Sequence, residues 1–277
     1  MVSIQNFHFS YTKRQIFGGL NLQLKAGNIY GLLGKNGMGK STLLSSIAGL
    51  LFPKAGTINV LGFNPAERKP AFLQDIFMIP EEFQLPDVSI PNFVKYTSPF
   101  YPWFNIELFR QYLKEFNIPY NSNLHSLSYG QKKKVLVSFG LAANTSLLLM
   151  DEPTNGLDIA GKSQLRKNIA GAFDEKKSIV ISSHQVKDLE NLVDFVIIID
   201  DDGVILNESL QHISAKLSFK ISYDPSEVSW ALYSEPLLRG HAVVVMNLEG
   251  EESKIDLELL YKATVANPKL IQSIFND

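Results

Sequence analysis

Apolar and polar residues alternate along the first 33 positions, at Ile4, Phe7, Phe9 and Tyr11 and again at Leu20, Leu22 and Leu24. A period of two predicts antiparallel strands with one buried face. The later apolar runs do not alternate. Residues 28–33, 76–79, 147–150, 179–181 and 195–199 are short and almost wholly apolar. That pattern predicts strands buried on both faces, as in a parallel sheet. Residues 56–62 read as one more strand, closed by a glycine at each end. Helical spacing predicts helices over 43–51, 106–116, 130–143, 160–173 and 185–192. Short buried strands alternating with helices predict an α/β fold with a mostly parallel sheet flanked by helices.

Two stretches break the alternation. Residues 81–126 are rich in Phe, Tyr, Trp and Pro. They predict an inserted helical subdomain, drawn at about 82–145. Within it Phe93, Tyr96, Phe100, Tyr101, Trp103 and Phe104 read mostly as core, with a minority left for contact. Beyond residue 211 the pattern changes again. Residues 242–246 predict a strand, Asp256 a cap for a helix over 257–262, and Asn267-Pro268 the start of a last helix. The organisation is therefore a main unit over 1–211 and a small α+β extension over 212–277. There is no internal repeat and no low-complexity segment.

Bulk properties narrow the classes. A chain of 277 residues buries a sizeable core. A net charge of −2 supplies no global basic field, so no nucleic-acid partner is expected. There is no cysteine, which excludes disulfides, thiolate catalysis and cysteine-bound metal. The first residues lack a basic, then apolar, leader, and every apolar run is too short to span a bilayer. The expectation is a cytoplasmic protein that reaches a membrane only through a partner.

The chemistry starts at Gly34-Lys35-Asn36-Gly37-Met38-Gly39-Lys40-Ser41-Thr42. The spacing G-x-x-x-x-G-K-[ST], with a strand before and a helix after, predicts a phosphate-binding loop and a P-loop NTPase fold. Glycines let backbone N–H groups wrap a polyphosphate, and the helix N-terminus faces the same anion. Lys40 would reach the β- and γ-phosphates, and Ser41 would ligate Mg²⁺. A chance glycine-rich turn is the bland alternative. The strand over 147–150 runs into Asp151 and Glu152. Asp151 at a strand's carboxyl end suits Mg²⁺, held directly or through water, and Glu152 suits activation of a water for in-line attack. A solvated acidic loop is the alternative there.

Three further features follow. Ser128 in Leu127-Ser128-Tyr129-Gly130-Gln131 suits a helix N-cap, and Gly130 permits close approach to an anion. One nucleotide does not need two such sites on one chain, but a head-to-tail dimer does. The lysine run 132–134 reads as a solvated basic face. Asp158, in Asn155-Gly156-Leu157-Asp158, sits on a turn suited to contact with a second subunit. His184 directly follows a strand, where it would sense the γ-phosphate or position water.

This ordered set resembles the nucleotide-binding subunit of ABC transporters, over about residues 2–210. The resemblance implies ATP and Mg²⁺ as ligands, and ATP hydrolysis as the activity. It assigns Gly34, Asn36, Gly37, Gly39, Lys40, Ser41 and Thr42 to the Walker A loop and Asp151 and Glu152 to Walker B and the catalytic glutamate. Ser128, Gly130 and Gln131 become the signature acting in trans, Asp158 the D-loop and His184 the switch histidine. Tyr11 falls where the family stacks an aromatic on adenine, although a strand aromatic packed on its neighbours is the simpler reading. Where the family has a Gln after the strand that ends near Ile79, this chain has Glu81, with Gln84 reachable only by a shift. We place Glu81 among the metal ligands beside Ser41 and Asp151. Tyr129 replaces the second signature glycine. The resemblance further implies two partners: an integral-membrane permease docked on the helical subdomain, and a second copy or a paralogous cassette. The expected location is the inner face of the cell membrane. Glu81 and the C-terminal extension resemble the export-type, ABC-2-like branch. The alternative is a non-transport ABC ATPase, such as the iron–sulfur assembly type.

Overall fold

The computed structural model describes residues 1–275 except 13, 202, 249, 251 and 252. Three sheets carry the chain. The first is antiparallel in the order β2-β1-β4, from β1 (Val2–Tyr11), β2 (Arg14–Leu24) and β4 (Ala55–Val60). It follows from the alternation: Val2, Ile4, Phe7, Leu20, Leu22 and Leu24 all point inward.

The second sheet has six strands in the order β5-β6-β7-β3-β8-β9. They are β3 (Ile29–Leu33), β5 (Ile76–Ile79), β6 (Leu147–Asp151), β7 (Ser178–Ser183), β8 (Phe195–Asp200) and β9 (Gly203–Ser209). All neighbours run parallel except β8 and β9. Each residue of β3, β6 and β7 is buried, as non-alternating apolar runs require. Leu147 and Leu149 pack toward the first sheet and α1 (Lys40–Ile47). Leu148 and Met150 pack toward the other face, with α5 (Tyr129–Ala142) and α6 (Ile159–Ala172). A short helix α2 (Pro70–Leu73) precedes β5. The register aligns Ile79 with Met150, Asp151 with Ser182, and Ser183 with Leu33. Segments leaving β3, β5, β6 and β7 therefore emerge side by side at one edge, where open α/β sheets bind ligands.

The helical region is built from α3 (Ile90–Thr97), α4 (Ile106–Glu115) and α5. Ser89 and Asn105 cap the first two. Phe139 is wholly buried and touches the rings of Phe77, Phe93, Tyr101, Phe104 and Phe109. The aromatic segment is less buried than expected. Tyr96, Phe100 and Trp103 are 62%, 67% and 71% exposed, so half of the six rings face outward.

The third sheet, in the order β10-β12-β11, comprises β10 (Leu217–Ser222), β11 (Tyr233–Pro236) and β12 (His241–Met246). It follows α7 (Leu210–Lys216) and carries α8 (Pro225–Trp230), α9 (Leu257–Ala266) and α10 (Pro268–Phe275). Asp256 caps α9, accepting from the Leu259 N–H at 2.9 Å. One expected element is missing. Residues 185–192 form a single 3₁₀ turn at Val186–Asp188 rather than a helix, and Asn191 has a φ of 58°. Leu189 and Val193 have helix-like spacing because both pack over Gly31 of β3, where an added Cβ would meet them at 2.8 and 3.2 Å.

Candidate active site

The loop after β3 turns into α1 through two glycines in the left-handed region, Gly37 at φ 85° and Gly39 at φ 94°. Gly39 has no room for a side chain, since an added Cβ would stand 2.5 Å from the Phe17 ring. Gly34 is as tightly placed, 2.7 Å from the Ile199 carbonyl by the same construction. The loop is thus set by sterics, and the unpaired N–H groups of the first turn of α1 face outward from it. Lys40 is 6% exposed. Its Nζ donates to the carbonyls of Gly34 at 2.7 Å and Lys35 at 3.2 Å, and stands 3.8 Å from Glu152 Oε1.

Beside this loop lies a cleft of about 530 Å³. It gathers Tyr11, Asn36, Gly37, Gly39, Lys40, Ser41, Thr42, Glu81, Glu152 and His184. Arg14, Ile16 and Asn155 line it as well, and none of these three stood among the expected site residues. Arg14 reaches the Gly37 carbonyl at 3.4 Å. Tyr11 is half exposed on the rim, with its hydroxyl 3.3 Å from Thr42 Oγ1 and its ring edge-on to Phe9.

Asp151 is buried just beneath, and its Oδ1 accepts from the Ser182 hydroxyl at 2.5 Å. Glu152 is 4% exposed, with a φ of 45°. Its Oε1 lies 2.9 Å from His184 Nδ1. Gln185 Nε2 sits 3.4 Å from the other ring nitrogen. Glu152 Oε2 is buried with no partner. Burial pushes the Glu152 carboxyl up, while His184 and Lys40 oppose it. Burial also lowers the Lys40 ammonium, against the pull of Glu152 and Asp151. The two charges hold each other in place at a site that disfavours both.

Glu81 accepts from the Asn155 side-chain amide at 2.9 Å. Gln84 lines an adjoining concavity that shares Glu81 and Asn155 with the cleft; Glu81 lines the cleft itself and Gln84 does not. Ser128, Gly130 and Gln131 are not on the cleft. Ser128 and Gln131 cap α5 reciprocally, at 3.3 and 2.9 Å. Gly130 packs so closely that an added Cβ would be 2.6 Å from the Gly156 carbonyl oxygen. Asp158 is exposed and caps α6. The Gly161 amide, then Lys134, lowers its carboxyl below the usual range.

The lysine run is not a solvated face. Lys133 is wholly buried, and Lys134 turns to Asp158 at 3.4 Å. Three consecutive helix residues point about 100° apart, so the three ammonium groups diverge, and Lys133 is the one that turns in to the Glu152 carbonyl.

Comparison with known proteins agrees with this geometry. The ABC transporter family model matches residues 17–155. The ABC transporter ATP-binding protein YtrB of Bacillus subtilis is 26% identical over 291 residues, covering 99% of this chain and 97% of that protein. The lantibiotic transport ATP-binding protein SrtF of Streptococcus pyogenes is 31% identical over 220 residues, or 75% of this chain and 90% of that one. A solved ATP-binding subunit of an ABC transporter superposes with a TM-score of 0.68 at 23% identity, over 77% of this chain and 91% of that one, and shares the fold. With the phosphate loop, Glu152 and the histidine gathered on one cleft, this chain belongs to the ABC transporter family and is one of its ATP-binding, ATP-hydrolysing subunits.

Proposed function

We propose that this chain closes on two MgATP with a second copy or a paralogous cassette, and that the cycle drives a separate integral-membrane permease in the export direction. The observation that carries the reading is the split between two surfaces. Lys40, Glu152 and His184 converge on one cleft, while Ser128 and Gly130 open a different helix on the same chain. A head-to-tail pair would bring the second surface of each subunit over the first surface of the other. ATP would favour that closed pair, and hydrolysis would remove the preference.

In this reading the loop N–H groups and Lys40 hold the β- and γ-phosphates. Tyr11 offers a ring to the adenine at the rim. Glu152 takes a proton from water as its oxygen attacks the γ-phosphorus, and His184 holds the carboxylate from Oε1. The products are ADP and phosphate. The residues fit Mg²⁺: Ser41 and Glu81 on the cleft and the buried Asp151 next to Glu152 would supply hard oxygen donors, and Glu152 Oε2 is a buried oxygen with no partner. When bound, the ion would neutralise phosphate charge.

A groove suits the permease. Leu50, Pro70, Leu73, Met78, Phe100 and Tyr101 line it, next to exposed Tyr96 and Trp103. An amphipathic cytoplasmic helix is the occupant such a groove accepts. No helix among the described residues is long and apolar enough to cross a membrane. Attachment to the inner face would therefore come through the partner. The export direction rests on Glu81 and on the region 212–277, which we read as an accessory unit. The non-transport alternative is not favoured, because the named relatives are transport proteins.

The test is recovery of tagged Glu152→Gln protein from detergent-solubilised membranes with MgATP. The expected result is a polytopic membrane protein in stoichiometric amount. Recovery with cytosolic partners alone would overturn the transport reading.

A further inference from the structure

Lys133 is 0% exposed and lies outside the nucleotide cleft. A buried ammonium is costly unless its charge and N–H groups are met. Lys133 Nζ donates to the Glu152 backbone carbonyl at 3.1 Å. One helical turn earlier, Tyr129 places its ring 5.5 Å from the same ammonium. The Tyr129 hydroxyl donates to the Glu81 carbonyl at 2.5 Å, and its ring stacks on Phe83. Burial draws Lys133 toward its neutral form, and Glu81, Asp151 and Glu152 oppose that.

Its target is unusual. Glu152 is a non-glycine residue at φ 45°, a conformation that persists only where the surroundings impose it. They impose it from both sides. The Glu152 N–H donates to Ser182 Oγ at 3.0 Å. The Glu152 carbonyl accepts from Lys133 and from the Asn155 N–H, each at 3.1 Å. The direction of the Glu152 carboxylate, and so its contact with His184, follows from this backbone geometry.

We propose that Lys133 is a positioning residue for Glu152, its ammonium clamping the left-handed Glu152 peptide so that the carboxylate faces His184 and the cleft. Through Tyr129 the same helix start holds the Glu81 segment, so the beginning of α5 and the hydrolytic edge of one subunit move as a unit. The inference rests on Glu152 being the group that activates water.

The test compares the full-length wild type, Lys133→Met and Glu152→Gln by ATP titration, steady-state ATPase and amide hydrogen exchange. Lys133→Met keeps the stem and removes the donor and the charge. Its ATP affinity is expected to stay within about threefold of wild type. Its kcat should fall by about tenfold to 100-fold, the penalty for a misplaced catalytic group. Exchange of the Asn155 amide, which shares the Glu152 carbonyl, should quicken. Wild-type kcat in Lys133→Met beside an inactive Glu152→Gln would overturn the role of Lys133 alone. Parallel loss of ATP affinity and kcat would overturn it too, since a general structural defect predicts that. Wild-type kcat in Glu152→Gln would overturn the reading of Glu152 and the inference with it. Should Lys133→Met not fold, Lys133→Leu, which also lacks a donor and a charge, decides by the same criterion.

Discussion

Glu152 combines two local costs, a left-handed backbone and a buried oxygen without a partner. A left-handed φ at a non-glycine residue costs about 1–3 kcal/mol, and its unpartnered buried Oε2 adds a similar amount. The raised carboxyl pKa has a definite consequence for stability. The native state holds that proton more tightly than the unfolded chain. Its contribution to stability is therefore full below the ordinary carboxylate range and is lost as pH rises through the native value. Glu152→Gln removes this dependence. Without nucleotide, the Tm of Glu152→Gln minus that of wild type should rise between about pH 4 and about pH 8. A difference that stays constant or falls in a thermal-melt series would contradict a carboxyl dominated by burial. At this scale the sequence exposes what is contiguous. Gly34 to Thr42 and Asp151-Glu152 are legible because each is a run of neighbours in sequence with a recognisable spacing. Arg14, Lys133 and Ser182 were not, because each reaches the site across the fold. A run of three lysines carries no mark of which one turns inward.

At the scale of elements, α5 joins the hydrolytic edge to the helical region. Its first turn holds Glu81 and Glu152 through Tyr129 and Lys133, and its far end seats Phe139 among five other rings. Phe139→Ala should cost about 3–5 kcal/mol of unfolding free energy by denaturant titration. A loss below about 1 kcal/mol would mean that the ring cluster does not anchor the region. The buried strands were readable because a sheet covered on both faces leaves few polar positions. The turn over 186–188 was misread as part of a helix because Leu189 and Val193 owe their spacing to Gly31 beneath them. The outward turn of Tyr96, Phe100 and Trp103 was equally hidden, since composition does not say which rings a small helical region can enclose.

At the scale of the whole molecule, the tail is not a loose appendage. Ile213, Leu217, Leu257, Leu260 and Ala263 belong to the same buried cluster as Phe139 and Met150. The change of pattern near residue 212 was visible in the sequence, but this continuous packing was not, because it joins residues more than sixty positions apart. Ser128 and Gly130 do not reach the cleft of their own chain, which is the ground on which we propose a pair. The direct measurement is the solution mass of Glu152→Gln with saturating MgATP, with Lys40→Ala as the control that loses the phosphate contact. A species of twice the 31.0 kDa chain mass, absent with Lys40→Ala, is the predicted result. A monomer at saturation would contradict the shared site.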